Sequence, residues 1–270
     1  MNVLILGSTG AAGDAITRYF SSQKNIRVDT LSRRDESTYS VDVTDIQSLA
    51  ITLAKIKSRS YDIIINCIGM LVEDSEKYPE LAQYVNARFP KMLEEFFSST
   101  KTKIIHLSTD CVFSGKAGPY SERCELDASY HYGKTKSQGE INNTKDLTLR
   151  VSFIGENSSL IKYACTNNTL KGWINAYWSG FTSLQLAKIL YENLEVSVTG
   201  IYHLVDNNLS ASKYEVLEHI VAAYDLKRKI IPVTLEKDLN CILVDTRREL
   251  RIEAAPYHEQ FAQMRDFFAK

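Results

Sequence analysis

The chain has 270 residues, of which 44% are hydrophobic, and its formal net charge is −1, from 32 basic and 33 acidic side chains. This composition fits a large α/β domain with an added lobe, and the balanced charge argues against nucleic acid or a membrane surface as partner. The chain has no apolar run of about 18 residues, which argues against a membrane span, and its five scattered cysteines without a CxxC pair predict reduced thiols in a cytoplasmic protein.

The chain opens with a strand, a glycine turn and a helix. Residues 3–6 are continuously apolar, as in a strand that is covered on both faces, and we therefore do not read the N-terminus as a signal peptide. The glycines that follow are spaced GxxGxxG, so that Gly7 and Gly10 can approach a pyrophosphate and Gly13 can pack against the strand. We predict a dinucleotide site here; the alternative is an ordinary tight turn. The predicted cofactor residues of this turn are Gly7, Thr9, Gly10, Ala11 and Gly13.

The second predicted strand, residues 26–31, ends in a basic sequence. Ser32, Arg33 and Arg34 follow it, where a cofactor without a 2′-phosphate usually meets an acidic side chain. Two guanidinium groups and a hydroxyl suit a 2′-phosphate. The alternative is a solvated loop that Asp35 and Glu36 neutralise. We therefore predict NADP(H) rather than NAD(H).

Further apolar strands alternate with helices along the first half. Strands are predicted at residues 41–43, 62–66, 103–107 and 147–151, and helices at residues 46–56 and 79–97. This alternation predicts a Rossmann-type, doubly wound parallel sheet with ligands at the carboxyl ends of its strands. Further cofactor residues are predicted near adenine, near the nicotinamide ribose and on the long helix: Asp42, Val43, Cys67, Ile68, Gly69 and Asn86. Asp42 could equally be a turn residue.

A hydroxyl pair and a tyrosine–lysine pair follow the strand at residues 103–107. Ser108 and Thr109 come directly after it, and a Tyr-x-x-x-Lys spacing places both side chains on one helix face. A nearby ammonium lowers the pKa of a phenol, which can then protonate a carbonyl oxygen as hydride arrives at its carbon. Two such pairs overlap, about 200° apart on a helix, and the spacing alone does not choose between them: Tyr130 with Lys134, and Tyr132 with Lys136.

The motifs together resemble those of the extended short-chain dehydrogenase/reductases, and within them the dTDP-4-dehydrorhamnose reductase branch. The resemblance rests on GSTGAAG, STDCVFSGKAGPYSE and YGKTKSQGE, with LRVSFIGEN, GWINAYWSG and GIYHLVDNNLSASKYEVL in support. In that family the tyrosine precedes a glycine. The resemblance therefore implies that Tyr132 and Lys136 are catalytic and hold the cofactor, and that Thr109 is the catalytic hydroxyl.

The triplet of Thr109, Asp110 and Cys111 bears on the type of reaction. The related sugar dehydratases carry Thr-Asp-Glu, so the cysteine disfavours dehydration. GDP-fucose synthases are similar in having a cysteine here, which could act as an acid or base in epimerisation. The alternative is a small, buried apolar side chain. Asp110 caps a turn or contacts the substrate.

The second half is expected to bind the substrate. We predict a Rossmann domain at residues 1–152, joined by a helix at residues 181–195, and mainly a substrate lobe at residues 153–270. Helices are predicted at residues 181–194 and 210–224, the latter with Ser210 or Ser212 as cap. An aromatic and amide-rich segment at residues 172–180 suits a pocket for hydroxyls, although it could equally pack under a helix. An arginine after residue 245 could meet the substrate diphosphate or lie in a surface charge cluster. With the triplet, the predicted substrate residues are Asp110, Cys111, Phe153, Asn175, Trp178 and Arg247.

The resemblance implies an NADPH-dependent reductase of a nucleotide-linked 4-keto-6-deoxy sugar in carbohydrate biosynthesis. A nucleotide-sugar epimerase or epimerase-reductase that uses Cys111 is one alternative, and a non-catalytic NADP-binding regulatory subunit is another. A homodimer is expected by analogy. The histidines and cysteines show no metal-ligand spacing, so no metal is predicted.

Overall fold

The computed structural model describes residues 1–269, in which strands and helices alternate through the first half of the chain. The strands are β1 (Asn2–Leu6), β2 (Arg27–Ser32), β3 (Tyr39–Ser40), β4 (Ile63–Asn66), β5 (Lys103–Ser108), β6 (Leu147–Arg150), β7 (Phe153–Ile154), β8 (Thr169–Trp173), β9 (Ala176–Trp178), β10 (Phe181–Thr182), β11 (Gly200–His203), β12 (Ala211–Ser212), β13 (Lys229–Val233) and β14 (Leu239–Asn240). The helices are α1 (Ala11–Ser21), α2 (Ile46–Arg59), α3 (Val72–Lys77), α4 (Pro79–Ala82), α5 (Phe89–Phe97), α6 (His131–Gln138), α7 (Ser159–Thr166), α8 (Ser183–Glu192), α9 (Lys213–Ala223) and α10 (Tyr257–Phe268), with a π-helical turn (Gln83–Arg88) and a 3-10 turn (Asp110–Val112). None of these helices is both long enough and apolar enough to cross a membrane.

Seven of the described strands form one parallel sheet, in the order β11-β6-β5-β4-β1-β2-β3. This confirms the predicted α/β fold. Because all these strands run the same way, their carboxyl ends meet at one edge, as ligand sites in such sheets require. That edge carries Asn66, Ser108 and Arg150 at the last positions of three neighbouring strands.

Alternating side chains of the sheet feed two hydrophobic cores, one on each face. Val3 and Ile5 of β1 pack under α1 and α8, whereas Leu4 and Leu6 pack under α2 and α5. A strand with apolar residues at every position is what two covered faces require. The helices on both faces make the sheet doubly wound, as the alternation of elements predicted.

A smaller lobe is built from α7, α9 and α10 around a third core. Two short sheets belong to it: β8 with β13, and β9 between β12 and β14. Helix α8 and strand β11 lie within the predicted substrate range, but α8 packs on the main sheet and β11 joins it. The final residue of the predicted lobe, Lys270, lies outside the described residues.

Two predicted elements differ from the structure. The third strand is Tyr39–Ser40 and not residues 41–43, because Asp42 turns the backbone by accepting hydrogen bonds from the Thr44 amide and hydroxyl, at 2.9 and 2.7 Å. The long helix predicted at residues 79–97 is helical throughout but contains the π-helical turn. Pro90 has no N–H to donate to the Asn86 carbonyl, and such a missing bond is a common cause of an irregular turn.

The C-terminal helices start a little later than predicted. Residues 181–182 form β10, and α8 begins at Ser183 with Thr182 as its cap. Helix α9 is capped by Ser212, one of the two predicted caps. Glu215 completes a capping box there by accepting from the Ser212 amide at 2.7 Å.

Candidate active site

The glycine turn joins β1 to α1 with the geometry expected of a phosphate site. Gly7 has a φ of 79°, which favours glycine, and its N–H donates to the Leu31 carbonyl at 2.8 Å. A Cβ on Gly13 would overlap the Gly7 carbonyl, so this glycine permits the close contact of helix and strand. No side chain within residues 1–269 caps the start of α1 at Gly10. The first N–H groups of α1 are therefore free to meet an anion. Thr9 and Ala11 are exposed on the same turn.

The basic segment after β2 lies at the same edge of the sheet. The Ser32 hydroxyl is buried against the Ser37 hydroxyl at 2.6 Å and accepts from the Arg34 amide at 3.0 Å, which fixes the turn. Arg33 and Arg34 are exposed, and neither forms an ion pair within the described part of the chain. Asp35 and Glu36 thus leave both guanidinium groups free.

Asp42 and Val43 are partly engaged within the fold. The Thr44 amide and hydroxyl lower the pKa of Asp42, and the charge of Arg33 adds to this effect. The Val43 carbonyl accepts from the Tyr84 hydroxyl at 2.8 Å. The second Asp42 carboxylate oxygen has no hydrogen bond from residues 1–269. It could accept one from an adenine amino group.

Helix α6 turns only one of the two tyrosine–lysine pairs inward. Tyr130 precedes the helix with 62% of its surface exposed, and Lys134 is exposed. Lys136 is buried, and its Nζ donates to the Leu107 carbonyl at 2.6 Å. The structure therefore brings Tyr132 and Lys136 to the end of β5.

The Tyr132 phenol and the Thr109 hydroxyl form the centre of the site. Burial raises the pKa of Tyr132 above its usual value, the charges of Cys111 and Asp110 add to this, and a hydrogen bond with Thr109 opposes it. The predicted lowering of the Tyr132 pKa is therefore not found, and the phenol is protonated at neutral pH. Thr109 donates to Asp110 Oδ1 at 3.0 Å and accepts from the Cys111 amide at 3.2 Å, which orients its hydroxyl.

Gly133 allows this arrangement. A Cβ at Gly133 would overlap the Cys111 carbonyl, so the glycine lets α6 lie against the turn that holds Thr109. The family resemblance chose Tyr132 because a glycine follows it, but it gave no physical reason for that glycine. The steric reason emerges only once both segments are placed.

The residues after β4 surround the Lys136 ammonium. A Cβ on Gly69 would lie 3.7 Å from Lys136 Nζ and 3.3 Å from Asn86 Oδ1. Burial lowers the pKa of Lys136 to about 8, against the opposing charges of Glu140 and Cys67. Burial also raises the pKa of the Cys67 thiol to about 12. The amide of Ile68 donates to Asn66 Oδ1 at 3.1 Å, so this short segment is held to the end of β4.

Asn86, in the π-helical turn, ties these segments together. Its Oδ1 accepts from the Met70 amide at 2.8 Å, and its Nδ2 donates to the Ser75 and Thr135 hydroxyls at 3.3 and 3.2 Å. The side chain is fully buried. With its polar atoms so engaged, Asn86 holds the segment after β4 against α6.

The predicted substrate residues fall into two groups. Asp110 and Cys111 lie beside Thr109, and burial together with the Asp110 charge raises the pKa of the Cys111 thiol above its usual value. Phe153, half-buried, packs near the core that Cys67 borders. Asp110 and Cys111 follow β5, and Phe153 follows β6, so all three lie on segments that leave the ligand edge.

Three other predicted substrate residues are engaged in the fold. The Asn175 amide binds the Leu235 backbone through both its oxygen, at 2.8 Å, and its nitrogen, at 3.1 Å. Trp178 is 2% exposed and donates to the Ser152 hydroxyl at 2.7 Å. Arg247 Nη1 donates to the carbonyls of Thr199 and Ile201 at the start of β11, which is the amino edge of the sheet. These hydrogen bonds hold the fold, and Arg247 lies at the edge of the sheet opposite to Thr109.

Sequence reasoning missed Cys241, which lies near the triplet, and Lys213, which lies near Cys241. The pKa of the Cys241 thiol is raised to about 11 by burial and by the charge of Asp110, while Lys213 opposes this rise. Cys241 comes directly after β14. In that strand, the Leu239 amide donates to the Asn175 carbonyl at 3.0 Å. No local motif marks Cys241, since about 130 residues separate it from Cys111.

The described residues also bear on metals and disulfides. No group of three or more histidine, cysteine, aspartate or glutamate side chains within residues 1–269 is placed to hold a metal ion. All five cysteines are free thiols in this part of the chain.

Known proteins share this sequence and this architecture. The family model described as the RmlD substrate binding domain matches residues 1–160. The dTDP-4-dehydrorhamnose reductase of Salmonella typhimurium is 29% identical over 223 residues, which cover 76% of this chain and 72% of that protein.

Two solved structures extend the likeness to the whole fold. A hypothetical dTDP-4-dehydrorhamnose reductase from Sulfolobus tokodaii is 26% identical with a TM-score of 0.76, covering 90% of this chain and 92% of the other. The dTDP-4-dehydrorhamnose reductase of Bacillus anthracis, solved in complex with NADP, is 19% identical with a TM-score of 0.79 and 98% coverage of both chains. At that identity the second likeness concerns the fold alone.

Proposed function

The chain belongs to the RmlD substrate binding domain family, and from this premise we propose that it is an NADPH-dependent reductase of a nucleotide-linked 4-keto-6-deoxy sugar. The observation that carries the proposal is the convergence of Tyr132, Lys136 and Thr109 at the end of β5, on the sheet edge that also holds the glycine turn. The Salmonella relative is named for the reduction of such a sugar. The product would serve carbohydrate biosynthesis.

The residues present fit NADP(H). Gly13 lets the start of α1 lie close to the Gly7 carbonyl, and the uncapped N–H groups there form a cradle for the pyrophosphate. Arg33 and Arg34, free of ion pairs with described residues, would hold the 2′-phosphate. NADPH, when bound, supplies the hydride. The remaining proposed cofactor contacts come from the turn, the adenine end and the segment after β4.

The side chains of the chain supply the proton and the orientation. Tyr132 donates its phenolic proton to the keto oxygen, a role for which its raised pKa keeps it protonated. Thr109, oriented by Asp110 and the Cys111 amide, holds the same oxygen. Lys136, fixed against the Leu107 carbonyl, presents its ammonium to the ribose and stabilises the phenolate that remains.

Epimerisation through Cys111 is the weaker proposal. An acid or base in that reaction must exchange a proton near neutral pH, whereas burial and Asp110 raise the pKa of the Cys111 thiol well above this range. Cys111 Sγ lies 3.6 Å from Asp110 Oδ1, the geometry of a weak S–H donor. We therefore assign Asp110, Cys111 and Phe153 to the substrate pocket, with Asn175 and Trp178 supporting the lobe around it, whereas Arg247 holds the amino edge of the sheet.

We also infer a homodimer in the cytoplasm, on analogy with oligomeric enzymes of this fold and on the five free thiols. Light scattering during size-exclusion chromatography tests the dimer. A mass equal to one chain of 30.6 kDa at micromolar concentration would remove it.

The proposed function is tested by NADPH oxidation with keto-sugar nucleotides. We expect turnover with a dTDP-linked 4-keto-6-deoxy sugar, slower turnover with UDP-, GDP- or CDP-linked sugars, and a product reduced at C4. The Thr109→Val variant should bind NADPH as the parent does and lose most of the activity. Tight NADPH binding with no oxidation by any of these substrates would instead indicate the regulatory-subunit alternative.

A further inference from the structure

A row of buried polar side chains crosses the ligand edge of the sheet. Ser108 of β5, Arg150 of β6 and His203 of β11 are direct partners in register, so their side chains lie side by side on one face. All three are at most 5% exposed. Polar groups at such depth need hydrogen-bond partners, and here they find them in one another and in one carboxylate.

That carboxylate belongs to Glu140, two residues beyond the end of α6. Glu140 Oε1 accepts from the Ser108 hydroxyl and from Arg150 Nε, and Oε2 accepts from Arg150 Nη2, each at 2.7 Å. The pair is bidentate and buried on both sides. A geometry with this many contacts fixes the carboxylate in position.

The row continues to the segment that follows β14. Arg150 Nη1 lies 3.3 Å from His203 Nε2, and His203 Nδ1 lies 3.2 Å from the Val244 carbonyl. Only a neutral imidazole with its proton on Nδ1 satisfies both contacts. His203 thus adds no positive charge beside Arg150.

The same end of β5 holds both Glu140 and Lys136. Ser108 binds Glu140 through its hydroxyl, and the preceding residue, Leu107, binds the Lys136 ammonium through its carbonyl. One strand end therefore sets the separation between the carboxylate and the ammonium. The two residues are also four apart in sequence, which matches one helical turn.

The charge that faces Lys136 comes from Glu140. The other charged or titratable groups here are Tyr132 on its own helix, Cys67 after β4 and His106 on β5, with Lys91 of α5 beyond His106 and Arg150 of β6 bound to Glu140. Burial keeps the phenol and the Cys67 thiol protonated and the His106 imidazole neutral. Within residues 1–269, this leaves Glu140 as the negative charge that acts on Lys136.

We propose that Glu140 is a positioning residue: clamped by Ser108 and Arg150, its carboxylate keeps the Lys136 ammonium charged and fixed against the end of β5. The inference rests on the proposed function, because that reaction needs a charged Lys136 and Glu140 is proposed to maintain this charge. The Glu140 carboxylate is bound by Ser108 and Arg150, and in this role it acts through Lys136.

The test measures the Lys136 titration directly, by NMR of the full chain carrying isotope-labelled lysine, with Lys136→Met to assign the signal. Glu140→Gln alone would strand a buried Arg150 charge and can fail to fold. The double variant Glu140→Gln/Arg150→Met removes both charges together. We expect a Lys136 midpoint of about 8 in the parent, and a lower midpoint in the double variant, because Glu140 raises the pKa of Lys136 whereas Arg150 has no comparable effect on it.

The control removes another buried carboxylate of the same sheet. Asp29 accepts from the Tyr61 hydroxyl at 2.5 Å and pairs with Arg59 at 3.1 Å, remote from Lys136. Asp29→Asn should leave the midpoint unchanged, whereas Glu140→Asp should keep it near that of the parent. An unchanged midpoint in the folded double variant would overturn the proposal.

Kinetics add a second readout. In the parent, kcat for reduction should fall as pH rises through about 8, where Lys136 loses its proton, and in the double variant this limb should move down by the same amount as the NMR midpoint. A parent without turnover would count against the proposed function alone, because the NMR titration needs no substrate.

Discussion

Tyr132 and Tyr130 differ by two positions and lie in opposite environments. Tyr132 sits against Thr109 with a raised pKa, while Tyr130 is exposed at the start of α6. Tyr132→Phe removes the proposed proton donor, and we expect kcat to fall by a factor of about 10² or more. Tyr130→Phe removes a similar hydroxyl from a solvated position and should leave kcat unchanged. Steady-state NADPH oxidation measures both.

The outcome that contradicts this assignment is equally clear. If Tyr132→Phe turned over at a rate near that of the parent while Tyr130→Phe did not, the first of the two overlapping pairs would be the working one. Circular dichroism of both variants separates a chemical loss from unfolding.

Arg33 and Arg34 are predicted to set the preference for the phosphorylated cofactor. Each exposed guanidinium can donate charged hydrogen bonds to a 2′-phosphate, and losing such bonds costs roughly 1.5 to 3 kcal/mol. The variant Arg33→Ser/Arg34→Ser should therefore raise the Kd for NADPH by roughly 10- to 100-fold. The Kd for NADH, which lacks the phosphate, should stay within about twofold.

Binding titrations with the two cofactors check this prediction. Arg59→Ser is the matched control, since this arginine pairs with Asp29 away from the cofactor edge. Equal weakening of NADPH and NADH in Arg33→Ser/Arg34→Ser would mean that these side chains act on the fold and not on the phosphate.

Local patterns pointed to one strand end, and the family resemblance chose the residues of the site there. Thr109, Tyr132 and Lys136 lie on or beside one such end, and the structure brings them together. Arg247 was predicted from charge alone, and its guanidinium instead binds carbonyls at the amino edge. Composition does not tell which edge of a sheet a late segment reaches, because that depends on pairings between distant parts of the chain.

The contact between β1 and α1 gives a prediction at the scale of elements. A Cβ at Gly13 would overlap the Gly7 carbonyl, whereas a Cβ at Gly10 would lie 3.4 Å from the same atom, which is ordinary contact. Gly13→Ala must push the helix off the strand, and overpacking of this kind costs about 1 to 3 kcal/mol. We expect that loss in the free energy of unfolding, and little loss for Gly10→Ala.

Urea denaturation of the two variants measures the difference. Since both substitutions add the same methyl group, any general effect of alanine on the unfolded chain cancels between them. Equal stabilities would show that α1 can shift without cost, and the proposed cradle would not depend on Gly13.

Elements with a strict pattern were predicted well, and those shaped by a few hydrogen bonds were not. The apolar runs of β1, β4 and β5 have no alternative to burial in the sheet. Val41 and Val43 are also buried, as their pattern indicates, yet Asp42 bends the backbone between them out of the strand. A hydrophobic pattern predicts which residues are buried. A strand also needs backbone pairing with a neighbouring strand, which the pattern does not predict.

The whole molecule should lose stability in mild acid because of its buried histidines. Burial lowers the pKa of His203 to about 4 from 6.5, and that of His106 well below 6.5. As pH falls through 6.5, these histidines bind protons in the unfolded chain but stay neutral in the folded chain. Proton binding therefore stabilises the unfolded state relative to the folded one. We expect His203 to remove up to about 3 kcal/mol of stability between pH 6.5 and 4.

The variant His203→Gln isolates this contribution. Glutamine can still donate to Val244 and accept from Arg150, but it does not titrate. Its free energy of unfolding, measured in urea at several pH values, should depend less on pH below 6.5. A slope as steep as that of the parent would place the acid sensitivity elsewhere, with His106 or the carboxylates.

The π-helical turn carries a consequence for how the chain tolerates changes of length. A π turn holds one residue more than an α turn, so deleting one residue between positions 83 and 88 could restore a regular helix. The flanking helices would keep their orientation because the turn absorbs the extra residue, but the side chains within the turn would change direction, and Asn86 would lose Met70, Ser75 and Thr135. The π turn thus keeps one residue more than a regular helix would hold. A shorter, regular helix would leave the segment beside Lys136 without the anchor that Asn86 provides.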